Sequence, residues 1–205
     1  LFAWRPLLDR RVSLGNVGLR GLKMEVSHDA DGRLVVSGLP LPNAAAAPGD
    51  PTATPWLIGI DRLQITDSTL IYTRNSQRIA LNVDLLVVEN LRGWEPEASG
   101  RIDFVGSFNG APVAISGDFA PFAARQNGQF RFTGERIDVA RVASIFDDPE
   151  LTELRGELDF DFLTSATITS GASAVASFDG KAALRRAAMA LADFKLRANR
   201  FDWSG

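Results

Sequence analysis

The chain has 205 residues and a formal charge of −3, with a pI near 5.2, so no basic surface recommends a nucleic-acid partner. Cysteine is absent and histidine occurs once, at His28, which excludes disulfides and any two-histidine zinc site within the chain. No run of about 18 apolar residues occurs, so no segment has the make-up of a membrane-spanning helix. The length suits one all-β domain with a substantial core.

Leu1 to Arg11 is ambiguous, because Pro6-Leu7-Leu8-Asp9-Arg10-Arg11 can form one helical turn. The chain starts without a methionine, and the expectation is a piece of a longer protein. From Val12 the apolar residues fall at Val12, Leu14, Val17, Leu19, Met24 and Val26. Steps of two are strand steps, since alternate side chains of a strand share a face. Asp31-Gly32 then separates Met24-Glu25-Val26 from Leu34-Val35-Val36, a hairpin signal because the favoured turn needs positive φ. Residues 39–55 change character: five prolines with Ala44 to Ala47 between them predict a mobile surface loop that forms no ladder.

Trp56 to Tyr72 repeats the earlier pattern, with Ile58, Ile60, Leu63, Ile65, Leu70 and Tyr72 each 46 residues beyond its counterpart (Val12 to Ile58). The step of three at Asp61-Arg62 would turn the apolar side outward unless a bulge absorbs one residue. Thr66-Asp67-Ser68-Thr69 is a polar turn or second bulge. A third match, 131 residues beyond the second (Ile58 to Met189), takes in Met189, Leu191, Phe194, Leu196, Phe201 and Trp203. A β-unit occurring three times is the reading.

Ile79 to Val88 alternates as a strand, Gly93 to Gly100 turns the chain, and Ile102, Phe104 and Phe108 lead to Asn109-Gly110, the sharpest hairpin signal present. Val113 and Ile115 return; Asp118 to Phe122 ends that strand. Asn127-Gly128 opens the next, which carries Phe130 and Phe132. Asp138 to Phe146 is the best helical candidate, with Val139, Val142 and Phe146 at helical spacing and Asp138 as cap. Leu158, Phe160 and Phe162 alternate with Asp159 and Asp161, a strand with one wet face. Phe178-Asp179-Gly180 offers a turn, and alanine-rich Lys181 to Ala192 has helical propensity, although the repeat starts a strand near Met189. Short alternating runs between such turns predict an antiparallel β-meander with little helix.

Chemistry finds no foothold. The Gly-x-Ser-x-Gly elbow, the phosphate loop and His-Glu-x-x-His are all missing. Gly15, Gly18 and Gly21 lack the spacing of a dinucleotide loop and read as turns or bulges. Asp147, Asp148 and Glu150 could touch a cation, yet read more simply as a solvated helix boundary. His28 reads as a surface residue. Trp4, Trp56, Trp94 and Trp203 read as core or rim, with a membrane-surface role as the minority alternative. The expectation is a protein without catalytic machinery, metal or cofactor.

What remains is an apolar stripe of Ile60, Ile65, Leu81, Val83, Phe104, Val113, Ile115, Phe130, Phe132 and Phe160, with Asp103, Arg131 and Asp159 on the opposite face. In a closed sandwich such a stripe is core. On a sheet that is curled but open, it is a trough able to hold acyl chains.

Ile58-Gly59-Ile60-Asp61-Arg62-Leu63-Gln64-Ile65-Thr66-Asp67-Ser68-Thr69-Leu70-Ile71-Tyr72 resembles a unit of the AsmA-like superfamily, which also includes TamB and YhdP. The resemblance continues in Gly106-Ser107-Phe108-Asn109-Gly110-Ala111-Pro112-Val113-Ala114-Ile115-Ser116-Gly117, in Phe119-Ala120-Pro121-Phe122, in Gly134 to Val142, and in Phe194-Lys195-Leu196 to Trp203-Ser204-Gly205. It covers most of the chain from Val12 onward and rests on β-patterns rather than catalytic residues. It implies a curled, elongated, half-pipe-like β-groove with one or two short helices, forming a single periplasmic segment over residues 1–205. The parent would be anchored in the inner membrane by a segment missing from this chain. The groove would bind phospholipid acyl chains and carry lipid between inner and outer membranes. Alternatively, the segment would be a structural module supporting outer-membrane assembly with other envelope proteins, its apolar face closed.

One expectation is testable at this level. Deleting Ala44 to Thr52 should leave the melting temperature within a few degrees of the parent, because the loop contributes little burial. A large drop in a thermal melt would show that it is packed.

Overall fold

The computed structural model describes residues 10–28, 34–37, 39–40, 57–74, 77–143, 151–169, 175–191 and 194–205. Twelve strands form one sheet: β1 (Arg11–Arg20), β2 (Lys23–His28), β3 (Leu34–Val36), β4 (Leu39–Pro40), β5 (Leu57–Arg74), β6 (Gln77–Arg92), β7 (Gly100–Phe108), β8 (Ala111–Ala120), β9 (Arg125–Asp138), β10 (Leu151–Thr169), β11 (Val175–Leu191) and β12 (Phe194–Ser204). One short helix, α1 (Val139–Ala143), links β9 to β10. The Asp138 carboxylate accepts the Ala140 N–H at 3.0 Å, so the expected cap is in place. The candidate helix continued to Phe146, and its last three residues lie outside the described ones, as do Asp147, Asp148 and Glu150.

From β5 to β12 each strand is antiparallel to the one before it, a meander of eight. The sheet does not close on itself. β12 ends one side, and β4 and β1 end the other.

The 46-residue repeat has a direct structural meaning. β1 and β2 lie one after the other along the same edge of β5, both parallel to it. Every pair of residues matched by the offset turns out to be a pair of lateral partners: Val12 with Ile58, Leu14 with Ile60, Val17 with Leu63, Leu19 with Ile65, Met24 with Leu70 and Val26 with Tyr72. Like pairs with like, so equal steps keep both strands in phase along their whole length. Both also break step at the same level. Gly21 adopts φ 69° and Asp67 φ 51°, and the Ser68 hydroxyl accepts the Leu22 N–H at 3.0 Å while donating to the Thr66 carbonyl at 2.8 Å. This is the second bulge expected at Thr66 to Thr69. At Asp61-Arg62, where a first bulge is the expectation, the β5–β6 register is unshifted, and the left-handed residue is Asn90 on the facing strand β6, with φ 59°.

Several expectations are corrected. The third copy of the repeat is a hairpin rather than a strand: Met189 and Leu191 close β11 and pair back onto Leu196 and Phe194 of β12. Its apolar spacing matches because both arms of that hairpin alternate. Asn127-Gly128 and Asp179-Gly180 lie inside β9 and β11 rather than at turns, since each finds partners on its neighbouring strands. β11 starts at Val175, so the alanine-rich run is strand well before Met189. Its residues pair on one side with β10 and on the other with β12, and that pairing outweighs helix propensity. Leu39 and Pro40 are strand, not loop; Pro40 is tolerated because β4 is the outermost strand on its side. The rest of the proline-rich segment, with Trp56, is outside the described residues. So are residues 1–9, which include Pro6 to Asp9 of the suggested helical turn, while Arg11 opens β1.

Asn109-Gly110 makes the tight β7–β8 turn, with φ of 49° and 85°. The Asp31-Gly32 dipeptide itself is not described, but β2 and β3 pair antiparallel across it.

Ser68 is 5% exposed and ties the broken edge to β5. Ser68→Ala should destabilise the protein by about 1–2 kcal/mol, because the Leu22 N–H and the Thr66 carbonyl each lose a partner. Urea unfolding of the two proteins measures the difference.

Candidate functional site: an uncovered apolar trough

Cross-strand partners put matching residues on one face of the sheet. One row runs Ile65, Leu86, Phe104, Ile115, Phe132, Phe162 across β5 to β10. The next runs Val83, Gly106, Val113, Gly134, Phe160, Ala182, Trp203 from β6 to β12. At Asp84 the β6–β7 register slips by one residue, so Val83 and Leu86 reach the same face despite their odd spacing.

Ile65 to Phe132 of the first row, with Val83, Val113 and Phe160 of the second, line a trough of about 640 Å³ whose walls also include Met24 of β2. β2 and β10 are seven strands apart in sheet order, counting both. Flat, that width would be about 29 Å at the usual strand spacing; one cavity shared by both ends requires the sheet to curl. Left-handed residues inside strands, Asp67, Asn90, Arg136 and Arg186, mark the levels where it bends. At Arg136 the freed backbone N–H is taken up by the Asp159 carboxylate at 2.8 Å.

Of the ten residues read from the sequence, Ile65, Leu81, Val83, Phe104, Val113, Ile115, Phe132 and Phe160 line this trough. Phe130 lies on the same face one step beyond, its ring 6.1 Å from Phe119 and 6.1 Å from Phe132. Ile60 is half-buried beside Leu91 and Leu14, away from the trough. The sequence reading missed Leu22, Met24, Leu70, Leu86, Ile102, Phe108, Ile137 and Val142. Ile102 and Phe108 share the phase of Phe104 and were legible. Leu86 was hidden by the Asp84 slip, and Val142 by the helix.

The trough lining holds no charged side chain. Its polar members are small, and Ser68 is already engaged. Phe104, at 7% exposure, is among its most buried parts; among the described residues no large side chain is fully buried. The interior of a closed sandwich would contain several such side chains. Among the described residues the apolar face has no second layer.

The other face carries charge, as the two-residue period requires. Arg101 holds Asp103 at 2.8 Å, Arg131 grips Asp161 through two bonds of 2.8 and 2.6 Å, and Arg185 meets Asp159. Arg62–Glu89 and Arg186–Glu157 extend the pattern. These pairs are largely exposed and contribute little stability individually. The hydrogen bond from Arg131 holds the Asp161 carboxyl below its ordinary value.

Gly15 and Gly18 sit in β1 with open space around them, and Gly21 takes the left-handed turn between β1 and β2. Trp94 lies against Gly59, leaving no room for a side chain there. Trp4 is not described. Nothing is described of the His28 side chain. Among the described residues no three His, Cys, Asp or Glu side chains converge as metal ligands would. Comparison with protein-family models, curated proteins and solved structures finds no match to this chain.

Because the Asp161 pKa is depressed in the folded state, its small stabilising contribution is present above the unfolded carboxyl value. It is lost as pH falls through the folded one. Arg131→Gln should return the Asp161 titration upward to the ordinary carboxyl range, as followed by NMR of the side-chain carboxyl. An unmoved midpoint would show that the contact is not formed in solution.

Proposed function

We propose that the chain is a non-enzymatic segment of a periplasmic, AsmA-like lipid-conducting groove, anchored to the inner membrane in its parent protein. Its trough holds phospholipid acyl chains on their way between membranes. The observation carrying this reading is the apolar trough, uncovered among the described residues, with an uncharged lining on a sheet that stays open. Burying an acyl chain there gains about 0.8 kcal/mol per CH₂, enough to hold even a partly embedded chain against water. Apolar contact has little directionality, so a chain can slide along the floor without a fixed resting site. Head groups stay outside, since the trough offers them no charge.

The test is photocrosslinking in cells from the intact parent protein. A photoreactive residue at Phe104 should form lipid adducts, while one at Asp103 on the charged face should not. Phe104→Glu should block lipid passage, because a carboxylate desolvated by acyl chains has no partner, and Asp103→Asn should leave it near normal. If neither position captures lipid and Phe104→Glu merely unfolds the segment, the trough is the inner face of a structural module covered by other envelope proteins.

A further inference from the structure

The row Val113, Gly134, Phe160, Ala182, Trp203 alternates large and small side chains across β8 to β12. Phe160 stands last on it among the trough-lining residues. Beyond lies an aromatic shelf on β10 to β12. Phe160 stacks on Phe162 at 5.4 Å and 11°, and Phe162 meets Trp203 edge-on at 5.7 Å. Phe178 and Phe201 on the same side are 64% and 60% exposed. Trough and shelf are thus two apolar surfaces with Phe160 at the boundary.

The placement of that ring depends on Gly134. A Cβ at Gly134 would come within 2.5 Å of Phe160 Cε1 and 2.6 Å of Cζ, and its three nearest atoms all belong to that ring. At Gly106, Gly117 and Gly180 the nearest atom is instead a backbone carbonyl oxygen, which cannot yield. Gly134 also has no left-handed φ to explain it. Its missing side chain is therefore space occupied by the Phe160 ring, which lies down over the β9 backbone.

Resting on the acyl-chain reading above, we propose that Gly134 and Phe160 form an aperture between trough and shelf, with Gly134 as the positioning residue and Phe160 as the residue that sets which ligands pass. With the ring down on Gly134, the way to Trp203 is open for a slender, unbranched chain. A side chain at residue 134 displaces the ring. Backbone lies beneath it and Phe162 is stacked beside it, so it can only rise from the sheet into the opening.

The experiment uses the whole chain with Trp203 as the sole tryptophan, the others being replaced by phenylalanine. The probe is a fatty acid brominated at its chain end, which quenches a tryptophan it touches. Displacement of a polarity-sensitive dye reads occupancy of the trough; quenching of Trp203 reads passage beyond Phe160. The parent should show both. Gly134→Val should keep dye displacement while the probe concentration needed to quench Trp203 rises about tenfold, equivalent to losing contact for roughly two methylenes. Gly134→Val combined with Phe160→Ala should restore quenching, because the displaced ring is gone; a purely structural role for Gly134 would not be rescued in this way. Unchanged quenching in Gly134→Val, or no recovery in the double variant, overturns the aperture while leaving the trough standing. Absence of dye displacement and quenching in the parent overturns the acyl-chain reading and the aperture with it.

Discussion

An apolar sheet face with no second layer packed on it among the described residues is the constraint from which the rest of this structure follows. A two-sided sheet normally buries its apolar side against a second layer, and the gain from that burial holds both layers together. Here, among the described residues, the apolar residues of β5 to β10 share their space only with Leu22, Met24 of β2 and Val142 of α1. Curling the sheet brings distant strands within reach, so Met24 and Phe160 wall the same space. The result is partial burial nearly everywhere and complete burial of no large side chain among the described residues. Residual exposure of that kind leaves apolar surface that any further apolar group would gain by covering.

The charged face answers the same constraint from the other side. Arg131–Asp161 bridges β9 to β10 and Arg185–Asp159 bridges β10 to β11, tying strand to strand where solvent is plentiful. Exposed pairs of this kind add little stability individually. Their larger effect is on register: a one-residue slip would put these carboxylates on the trough floor, where an unpaired charge is costly.

The edge formed by β1 and β2 departs from the meander because it repeats β5. An antiparallel neighbour would also pair apolar with apolar, but only a parallel one lets two copies with the same uneven step keep phase through Gly21 and Asp67. The break in one strand sits beside the break in the other, and Ser68 joins them. On the trough side, glycine and phenylalanine divide the work differently. Gly134 leaves a hollow and Phe160 lies in it, so a large ring occupies the floor without standing up in the trough.

Much of this was legible in the residues. Alternation with period two determined the all-β class, the antiparallel run from Ile79 to Phe132, the separation of Phe104 from Asp103, and eight of the trough-lining side chains. Those features depend on covalent geometry within a strand, which each short window of sequence carries by itself. The 46-residue offset even encoded a lateral register, since identical patterns pair in phase. Other features were decided only by tertiary structure. Whether Met189 to Trp203 is one strand or a hairpin, and whether Asp179-Gly180 turns or continues, depends on which neighbouring backbone is there to accept hydrogen bonds. The same holds for the slip at Asp84 that brings Leu86 onto the floor. Most of all, the apolar stripe reads alike in a closed sandwich and in an open trough. The difference lies in whether another layer covers it, and that is a property of how strands far apart in the chain are arranged, which no local pattern records.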